Sequence, residues 1–404
     1  MRTLFRGIAE LVQPHMRAGR SLTPVDVTRD AALLVEDGRV RWAGPAAEAP
    51  AAGQVEDLRG RVVVPGLVDS HTHVVFAGER IDEMAERARG ATYEHIAAAG
   101  GGIRRSVAQL RAASVEQIVA ESRPRLAQML AHGTTTCEVK SGYGLSPELE
   151  LKHLRAMAAL AAHTPLSMVT TVLAHTLPAD AGPQRTPYID RFINEVLRPA
   201  AAAGLARYCD VFVETGALTP DEARHIAAAA KTAGLALKLH VDQLHDGGGA
   251  ALAAELGALS ADHLEHTPAA SHAALAQAGV VATILPGCRA FLGKGPWPDG
   301  RALRNAGCEV AVATDCNPGT SMITDLALCG TLAATSCGLT LEESLWAITA
   351  GGARALGLTD RGTLRPGERA DFVVLDHSDW RALFYRPGNA PIASVFIAGN
   401  PTPA

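Results

Sequence analysis

Three histidines and one aspartate stand at the ends of apolar, β-branched runs, where a parallel sheet would bring them together. His71 and His73 form an H-x-H pair in the segment VVVPGLVDSHTH, and the period of two along a strand points both imidazoles to the same side. His240 ends the run LALKLH, and Asp315 follows the run CEVAVAT. Three neutral imidazoles and one carboxylate form a site suited to Zn²⁺ or Fe²⁺, with a position left for water. The sequence therefore predicts one divalent metal ion held by these four side chains.

A metal ion in this setting would lower the pKa of bound water towards neutrality and so supply a nucleophile. Such a reaction also needs a group that takes and returns a proton, and the candidates are Asp315 and His263, the latter in the segment SADHLEHT. Lys140 could serve as a carbamylated bridge between two metal ions, but it precedes the loop SGYG and does not end a strand, so one ion is favoured. Three further histidines beyond strand ends are expected to be solvated: His245, His266 and His272.

The middle of the chain alternates short β-branched runs with alanine-rich helical stretches, which is the pattern of a parallel sheet covered by helices. Eight candidate strands begin near residues 61, 134, 167, 209, 235, 258, 280 and 308. This is the number that a (β/α)8 TIM-like barrel needs, and such barrels carry their active sites at the carboxyl ends of the strands. Strands two, three and four run into Tyr143, His175 and Glu214. The long first gap, with the segment AERARGATYEHIAAAGGG, is interpreted as an insertion over the barrel mouth.

The two ends of the chain are similar to each other and differ from the middle. Residues 31–64 and 363–400 are short β-rich runs separated by polar turns, among them the turn signal Arg-Pro-Gly. We expect these ends to assemble into one small β-sandwich domain from residues 1–64 and 363–404. Residues 65–362 would then form the barrel domain.

The composition narrows the class of protein. The chain has 404 residues, 48% hydrophobic and 20% charged, which fits a globular protein with a sizeable core. The net charge of -5 and the scattered basic residues predict neither a nucleic-acid nor a membrane partner. The first residues show no signal-peptide pattern, and no apolar run reaches the length of a membrane span. Seven cysteines without a C-x-x-C pair argue against disulfides and a zinc ribbon, so a reducing, cytoplasmic setting is expected.

Several longer motifs resemble one family, the imidazolonepropionases of the metal-dependent amidohydrolase superfamily. They are PGLVDSHTHVVFAGER, GGGIRRSV, GTTTCEVKSGYGL, the SADHL segment and ATDCNPGT. The resemblance implies that the protein opens the ring of 4-imidazolone-5-propanoate by hydrolysis at its lactam bond, giving N-formimino-L-glutamate in histidine degradation. It also implies that His71, His73, His240 and Asp315 are the metal ligands and that the protein is a homodimer.

The same resemblance places substrate-binding residues along the barrel mouth. They would be Arg80, Tyr143 and His175, together with Asn317, Gly319 and Thr320 of the ATDCNPGT loop. Elementary chemistry agrees with two of these roles. Arg80 offers a planar fork for the propionate carboxylate, and His175 can donate a hydrogen bond to the ring carbonyl where oxyanion charge develops.

Gln243 departs from the family pattern, in which a glutamate follows the strand-five histidine by three residues. Glutamine cannot shuttle a proton. Three consequences stay open. In the first, the family's glutamate only orients the ring, and Gln243 does the same. In the second, Asp242 substitutes for it, although its side chain points to the opposite face of a strand. In the third, the substrate is a related cyclic amide, such as a hydantoin or thiohydantoin propionate, whose carbonyl would accept from the amide of Gln243.

Two other classes of function are less favoured. A deaminase would use the missing glutamate as its proton shuttle. A metal-binding protein without catalysis, or a binding scaffold, would predict erosion of the metal ligands or of Asp315, and all four residues are present.

Overall fold

The computed structural model describes residues 2–15, 25–91, 96, 100–178, 182 and 184–403. The insertion predicted over the barrel mouth therefore lies partly outside the described residues, at positions 92–95 and 97–99. No helix in the described part of the chain is long and apolar enough to cross a membrane.

The strands fall into two sheets. They are β1 (Arg2–Pro14), β2 (Val25–Glu36), β3 (Arg39–Pro45), β4 (Gln54–Pro65), β5 (Leu67–Asp69), β6 (Thr134–Lys140), β7 (Ser167–Ala174), β8 (Tyr208–Val213), β9 (Ala236–Val241), β10 (Ser260–His263), β11 (Val281–Ile284), β12 (Val310–Val312), β13 (Phe372–Leu375), β14 (Ile392–Ile397) and β15 (Asn400–Pro401).

Helices follow most of the barrel strands. The α-helices described are α1 (Ile81–Ala88), α2 (Ile103–Ala112), α3 (Val115–Ala131), α4 (Pro147–Ala161), α5 (Arg185–Phe192), α6 (Arg198–Ala202), α7 (Pro220–Thr232), α8 (Gly249–Leu256), α9 (Ala269–Ala278), α10 (Pro286–Leu292), α11 (Gly300–Ala306), α12 (Leu326–Ser336), α13 (Leu341–Ala347), α14 (Ala350–Ala355) and α15 (Ala382–Tyr385). A π-helical turn, Ile193–Leu197, joins α5 to α6.

The local sequence explains where several of these helices begin. Ser114 caps α3, because its hydroxyl accepts from the Gln117 N–H while the Gln117 side chain accepts from the Ser114 N–H. Thr219 makes the same reciprocal pair with Glu222 at the start of α7. Such capping boxes satisfy two backbone donors that a helix end leaves free. They fix the points at which the chain leaves a loop and turns back along the barrel.

Strands β5 to β12 form a single parallel sheet in chain order. Its first and last strands meet just beyond their carboxyl ends. There the Asp315 N–H donates to the His71 carbonyl at 3.0 Å, and the His73 N–H donates to the Cys316 carbonyl at 2.9 Å. The predicted (β/α)8 TIM-like barrel is thus confirmed. The same two bonds fasten three predicted metal ligands to each other through the backbone.

The two chain ends form the second sheet, with seven strands in the order β15-β14-β13-β4-β1-β2-β3. Strand β13 pairs antiparallel with β4, which joins the last part of the chain to the first. The sheet has its own apolar core, in which the Phe372 and Phe396 rings stack at 4.4 Å and Phe5 meets both edge-on. The separate β-rich unit from both termini is confirmed. The division at residues 64 and 363 remains a prediction.

Candidate active site

The four predicted metal ligands come together at the carboxyl end of the barrel. His71 and His73 follow β5, His240 lies near the end of β9, and Asp315 follows β12. The Nε2 atoms of His73 and His240 are 3.3 Å apart. Oδ1 of Asp315 lies 3.6 Å from Nε2 of both His71 and His73. All four side chains are buried. Residues far apart in the sequence therefore form one compact cluster of nitrogen and oxygen donors.

Carboxylates behind two of the histidines orient their rings. Oδ2 of Asp262 lies 2.6 Å from Nδ1 of His71, within hydrogen-bond distance. Oδ2 of Asp210 lies 2.9 Å from Nδ1 of His240, close enough for an electrostatic contact but not aligned for a hydrogen bond. A carboxylate at Nδ1 favours a proton on that nitrogen and leaves the Nε2 lone pair free. Both lone pairs then face the centre of the cluster.

This donor set fits a divalent cation. Nε2 of His71 has no hydrogen-bond partner among the described residues, although it is buried. Burial, with neighbouring positive groups, holds the pKa of His71, His73 and His240 well below the ordinary value, so the imidazoles are neutral. Two nitrogens that share a tetrahedral ion at about 2.0–2.1 Å lie roughly 3.3 Å from each other. Without a cation, one of the two facing nitrogens of His73 and His240 must carry a proton if their lone pairs are not to repel.

The loop after β12 is shaped by Asn317. Its Oδ1 accepts from the N–H groups of Gly319 at 2.8 Å and Thr320 at 2.7 Å, and its Nδ2 donates to the Asp315 carbonyl at 2.6 Å. The Thr320 hydroxyl lies 3.4 Å from the Asp315 carboxylate. Burial raises the pKa of Asp315 to about 6. The three predicted loop residues thus surround Asp315.

His263 ends β10 beside the cluster, as predicted, with its ring centroid 5.5 Å from that of His71. Its Nδ1 lies 3.5 Å from Oε1 of Glu265. Burial alone would lower the pKa of His263, but the Glu265 carboxylate outweighs it and the pKa is raised. Neither oxygen of Glu265 has a hydrogen-bond partner in the described part of the chain. The sequence interpretation missed Glu265, although an acid two residues after a strand-end histidine was a visible signal.

Arg80 is buried at the barrel mouth and is not part of the exposed surface. Its Nε and Nη2 donate to Oε2 of Glu83 at 2.9 and 2.5 Å, and Oε1 of Glu83 accepts from the Gly102 N–H. Its Nη1 lies against Gly319, where a Cβ would come within 2.2 Å. A side chain at position 319 would therefore displace the Arg80 guanidinium from the position described. The guanidinium of Arg80 therefore lies directly against the loop that carries Gly319.

Tyr143 and His175 line the side of the cluster next to His73. The His175 ring stacks on His73 at 5.8 Å, and the Tyr143 ring lies 5.9 Å from His175. Burial lowers the pKa of His175 to about 4, so this imidazole is neutral. The carboxylate of Glu150 accepts from the N–H groups of Gly142, Gly144 and Leu145 and so holds the Tyr143 loop. Glu150 was not identified from the sequence, because its role depends on backbone that folds back on α4.

Gln243 is half-buried, and its Nε2 lies 3.9 Å from Sγ of Cys288. The Cys288 thiol also contacts the Asp315 carboxylate and the Thr320 hydroxyl. Cys288 therefore touches three predicted site residues, and nothing in its local sequence signalled this. Asp242 points elsewhere. Its carboxylate accepts from the N–H groups of Gly247, Gly249 and Ala250 around the start of α8 and from the Thr267 hydroxyl, which argues against Asp242 as the substitute for a glutamate.

Two expectations about single residues were wrong. Lys140 is the last residue of β6 and so does end a strand, where it is fully buried among carboxylates. His272 is not solvated, because it lies on the buried face of α9. His266 is exposed, and His245 is largely exposed beside Glu214, as expected.

Comparison with known proteins identifies the class that this barrel and its histidine cluster define. The family described as "Amidohydrolase family" matches residues 62–402, which include the whole barrel and the three strands of the terminal sheet that follow it. The chain belongs to the amidohydrolase family, whose members depend on metal ions.

Curated relatives define the family more narrowly. The chain is 47% identical to the imidazolonepropionase of Deinococcus radiodurans over 399 residues, 98% of each chain. It is 45% identical to the imidazolonepropionase of Myxococcus xanthus over 391 residues, 95% of this chain and 92% of the relative. The chain is therefore a member of the imidazolonepropionase family.

Solved structures agree on the fold. A triazine hydrolase variant superposes with a TM-score of 0.77 at 19% identity, covering 99% of this chain and 94% of that one. An adenosine deaminase from Xanthomonas campestris with bound zinc gives a TM-score of 0.72 at 20% identity, covering 99% and 92%. At these identities the likeness concerns architecture alone.

Proposed function

We propose that the protein hydrolyses 4-imidazolone-5-propanoate to N-formimino-L-glutamate, the imidazolonepropionase reaction of histidine degradation. This proposal rests on one observation: two sets of side chains lie together at the barrel mouth. One is the cluster of His71, His73, His240 and Asp315. The other is the buried guanidinium of Arg80 against the Gly319 loop. A hydrolytic centre beside a fixed cation suits a cyclic amide with an anionic tail. Near-full-length likeness to curated imidazolonepropionases supports this substrate.

The four clustered side chains would hold one divalent ion, Zn²⁺ or Fe²⁺. When bound, such an ion supplies Lewis-acid activation of the attacking water and of the ring carbonyl. A single ion is supported by Lys140, whose ammonium lies 2.5 Å from Asp210 and 2.9 Å from Glu138. These carboxylates hold the pKa of Lys140 above its ordinary value despite burial, so its amine is charged and does not form a carbamate bridge.

Arg80 would bind the propionate carboxylate. Its Nε and Nη2 are engaged with Glu83, which fixes the plane of the guanidinium. Its Nη1 points to the Gly319 loop, at the edge of the site. In this arrangement the tail of the substrate would lie at the mouth and its ring over the histidine cluster. Neutral His175 stacks beside His73 and can donate a hydrogen bond to the ring carbonyl oxygen.

Asp315 and His263 would move the protons of the reaction. In the hydrolysis, water oxygen bonds to the ring carbonyl carbon and the bond from that carbon to the ring nitrogen breaks. Asp315 accepts a proton from the attacking water, and His263 delivers a proton to the leaving nitrogen. Glu265, 3.5 Å from Nδ1 of His263, raises the pKa of that imidazole and so favours its protonated form. The pair therefore divides the roles of base and acid between two side chains.

Gln243 is compatible with an imidazolone ring. One N–H of its Nε2 is directed to Sγ of Cys288, which leaves Oε1 and the second N–H available to a ring. The amide oxygen can accept a hydrogen bond from a ring N–H, which imidazolone presents. Gln243 is thus assigned to substrate orientation, with no proton transfer.

The test is an ultraviolet assay with metal-reconstituted protein and three rings that share the propionate tail. The substrates are freshly prepared 4-imidazolone-5-propanoate, hydantoin propionate and its thio analogue. We expect rapid loss of the imidazolone absorbance, release of N-formimino-L-glutamate and no turnover of the other two. Chelator-treated protein is the control for spontaneous decay of the substrate. Opening of a hydantoin ring without turnover of imidazolone would overturn the proposal.

The homodimer is also proposed from the family likeness. Sedimentation equilibrium is expected to give twice the mass of one chain, and a single-chain mass across the accessible concentrations would contradict it. The cytoplasmic setting is likewise a proposal, and fractionation of the source cells would test it.

A further inference from the structure

Five charged residues lie directly beneath the histidine cluster, inside the barrel. They are Glu138, Lys140, Asp210, Lys238 and Asp262, and each side chain is 0% exposed. We name this set the charged layer. Burying one ionised group without a partner costs several kcal/mol, so a protein keeps such a set only where the charges compensate one another closely.

The two lysines bridge the three carboxylates. Nζ of Lys140 lies 2.5 Å from Oδ2 of Asp210, 2.9 Å from Oε2 of Glu138 and 3.5 Å from Oδ2 of Asp262. Nζ of Lys238 lies 3.0 Å from the same oxygen of Glu138 and 3.6 Å from that of Asp262, and it donates to the Ser70 carbonyl at 2.8 Å. Every carboxylate of the charged layer therefore has at least one ammonium group within ion-pair distance.

The charged layer is connected to the site above it. Asp262 contacts Nδ1 of His71 at 2.6 Å, and Asp210 contacts Nδ1 of His240 at 2.9 Å. Oδ1 of Asp210 also accepts from the His240 backbone N–H at 3.2 Å. The carboxylates that orient two metal ligands are thus the same ones that the lysines hold. Lys140 reaches both of them.

The two ammonium groups also lie where a second cation could bind. His71, Glu138 and Asp262 form a second cluster whose donor atoms are close enough to hold a cation. The nitrogens of Lys140 and Lys238 already lie against the carboxylates of that cluster. Ammonium groups that already contact these carboxylates disfavour a second divalent cation at the same place, because like charges repel.

We propose that Lys140 and Lys238 are positioning residues of the metal centre. They take the place that a second metal ion would occupy, and they hold Asp262 and Asp210 so that His71 and His240 carry their proton on Nδ1 and present Nε2. This inference rests on the proposed metal site, but not on the identity of the substrate. In this inference, Lys140 and Lys238 determine whether the centre binds one metal ion or two.

Lys140→Met tests the inference, because methionine keeps the length of the side chain and removes its charge. Lys152→Met is the matched control. Nζ of Lys152 donates to the carbonyls of Leu110, Arg111 and Ala113 and contacts no carboxylate of the layer. Competition against a chromophoric chelator measures the affinity of the full-length protein for Zn²⁺. We expect affinity to fall about 10- to 100-fold in Lys140→Met, the usual effect of losing a group behind a metal ligand. Lys152→Met should stay within twofold of the wild type.

Two measurements on the wild type can overturn the inference even if Lys140→Met fails to fold. Elemental analysis should find one ion per chain after reconstitution with excess Zn²⁺. Histidine ¹⁵N shifts of the metal-free protein should show the proton of His71 and His240 on Nδ1, and Lys140→Met should mix the two tautomers. Two ions per chain, protons on Nε2, or unchanged affinity in Lys140→Met would each overturn the inference. None of these readouts involves turnover, so a failure of the proposed substrate would appear separately.

Discussion

The two sheets of the molecule are filled with opposite kinds of side chain. The core of the terminal sheet is built on three phenylalanine rings, with Phe372 and Phe396 stacked at 4.4 Å. The barrel contains an apolar core as well, but beneath its mouth it holds the five fully buried charges of the charged layer. Burial of aromatic rings stabilises a fold, whereas burial of ion pairs contributes little net stability.

This contrast indicates which region serves stability and which serves chemistry. A set of buried charges that costs free energy is retained where it does something that an apolar core cannot do. Here it orients His71 and His240. Substitutions in the terminal sheet should therefore change unfolding and leave turnover of the folded protein intact. Substitutions at the barrel mouth should do the reverse.

The largest effect is expected from His240→Asn, which removes a proposed metal ligand and keeps a polar group beside Asp210. Turnover of imidazolone propionate should fall roughly 10⁴-fold, or about 5.5 kcal/mol in transition-state stabilisation. Bound metal, measured by elemental analysis, should fall with it. His245→Asn is the control, because this largely exposed neighbour contacts Glu214 and not the cluster. Turnover within tenfold of the wild type in His240→Asn would refute the ligand assignment.

Phe372→Ala tests whether the terminal sheet serves stability and not turnover. Loss of a buried phenylalanine should lower the free energy of unfolding by about 3–5 kcal/mol, because the cavity removes contacts with Phe5 and Phe396. Urea titration measures this effect, and kcat/KM at a temperature where the variant is folded should be unchanged. If kcat/KM falls in proportion to stability, the two sheets do not divide the roles as described.

Much of the fold and most of the metal cluster follow from the sequence. Period two puts His71 and His73 on one side of a strand end, and parallel strands bring His240 and Asp315 to the same end of the barrel. These arguments need only the order of strands and the place where each one stops. The backbone bonds from Asp315 to His71 and from His73 to Cys316 realise that geometry.

The partners behind these residues could not be predicted in the same way. Cys288 touches Gln243 and Asp315 only because β11 and α10 stand between the strands that carry them, and a buried thiol has no sequence signature. The sequence did indicate that Lys238 is buried, because this lysine lies inside the apolar run LALKLHV. Which carboxylates neutralise it depends on inward-facing side chains of neighbouring strands. That information is tertiary, and a single sequence does not contain it locally.

A smaller effect at the barrel mouth is expected from Arg80→Gln. Loss of a charge-assisted hydrogen bond costs about 1.5–3 kcal/mol, so kcat/KM should fall roughly 10- to 100-fold, mainly through KM. Arg105→Gln is the matched control, since Arg105 pairs with the exposed Asp82 on the outside of the same region. A substrate analogue without the carboxylate should be insensitive to Arg80→Gln. If it loses as much as the natural tail does, then Arg80 acts on the fold of the mouth and not on the propionate.

The smallest effect is expected from Gln243→Glu, because a carboxylate oxygen can accept the same ring N–H as the amide oxygen. The change in kcat/KM for imidazolone propionate should stay within tenfold, or about 1.4 kcal/mol.

Cys288→Ala removes the sulfur that contacts Nε2 of Gln243, so the amide group can rotate. KM should then rise two- to fivefold at unchanged kcat, which corresponds to the loss of roughly half of one neutral hydrogen bond. Cys209→Ala is the control for removing a buried thiol away from the mouth. If Gln243→Glu instead exchanges the preference between imidazolone and hydantoin rings, then the amide donates to the substrate, and the orientation set by Cys288 is not the one used in catalysis.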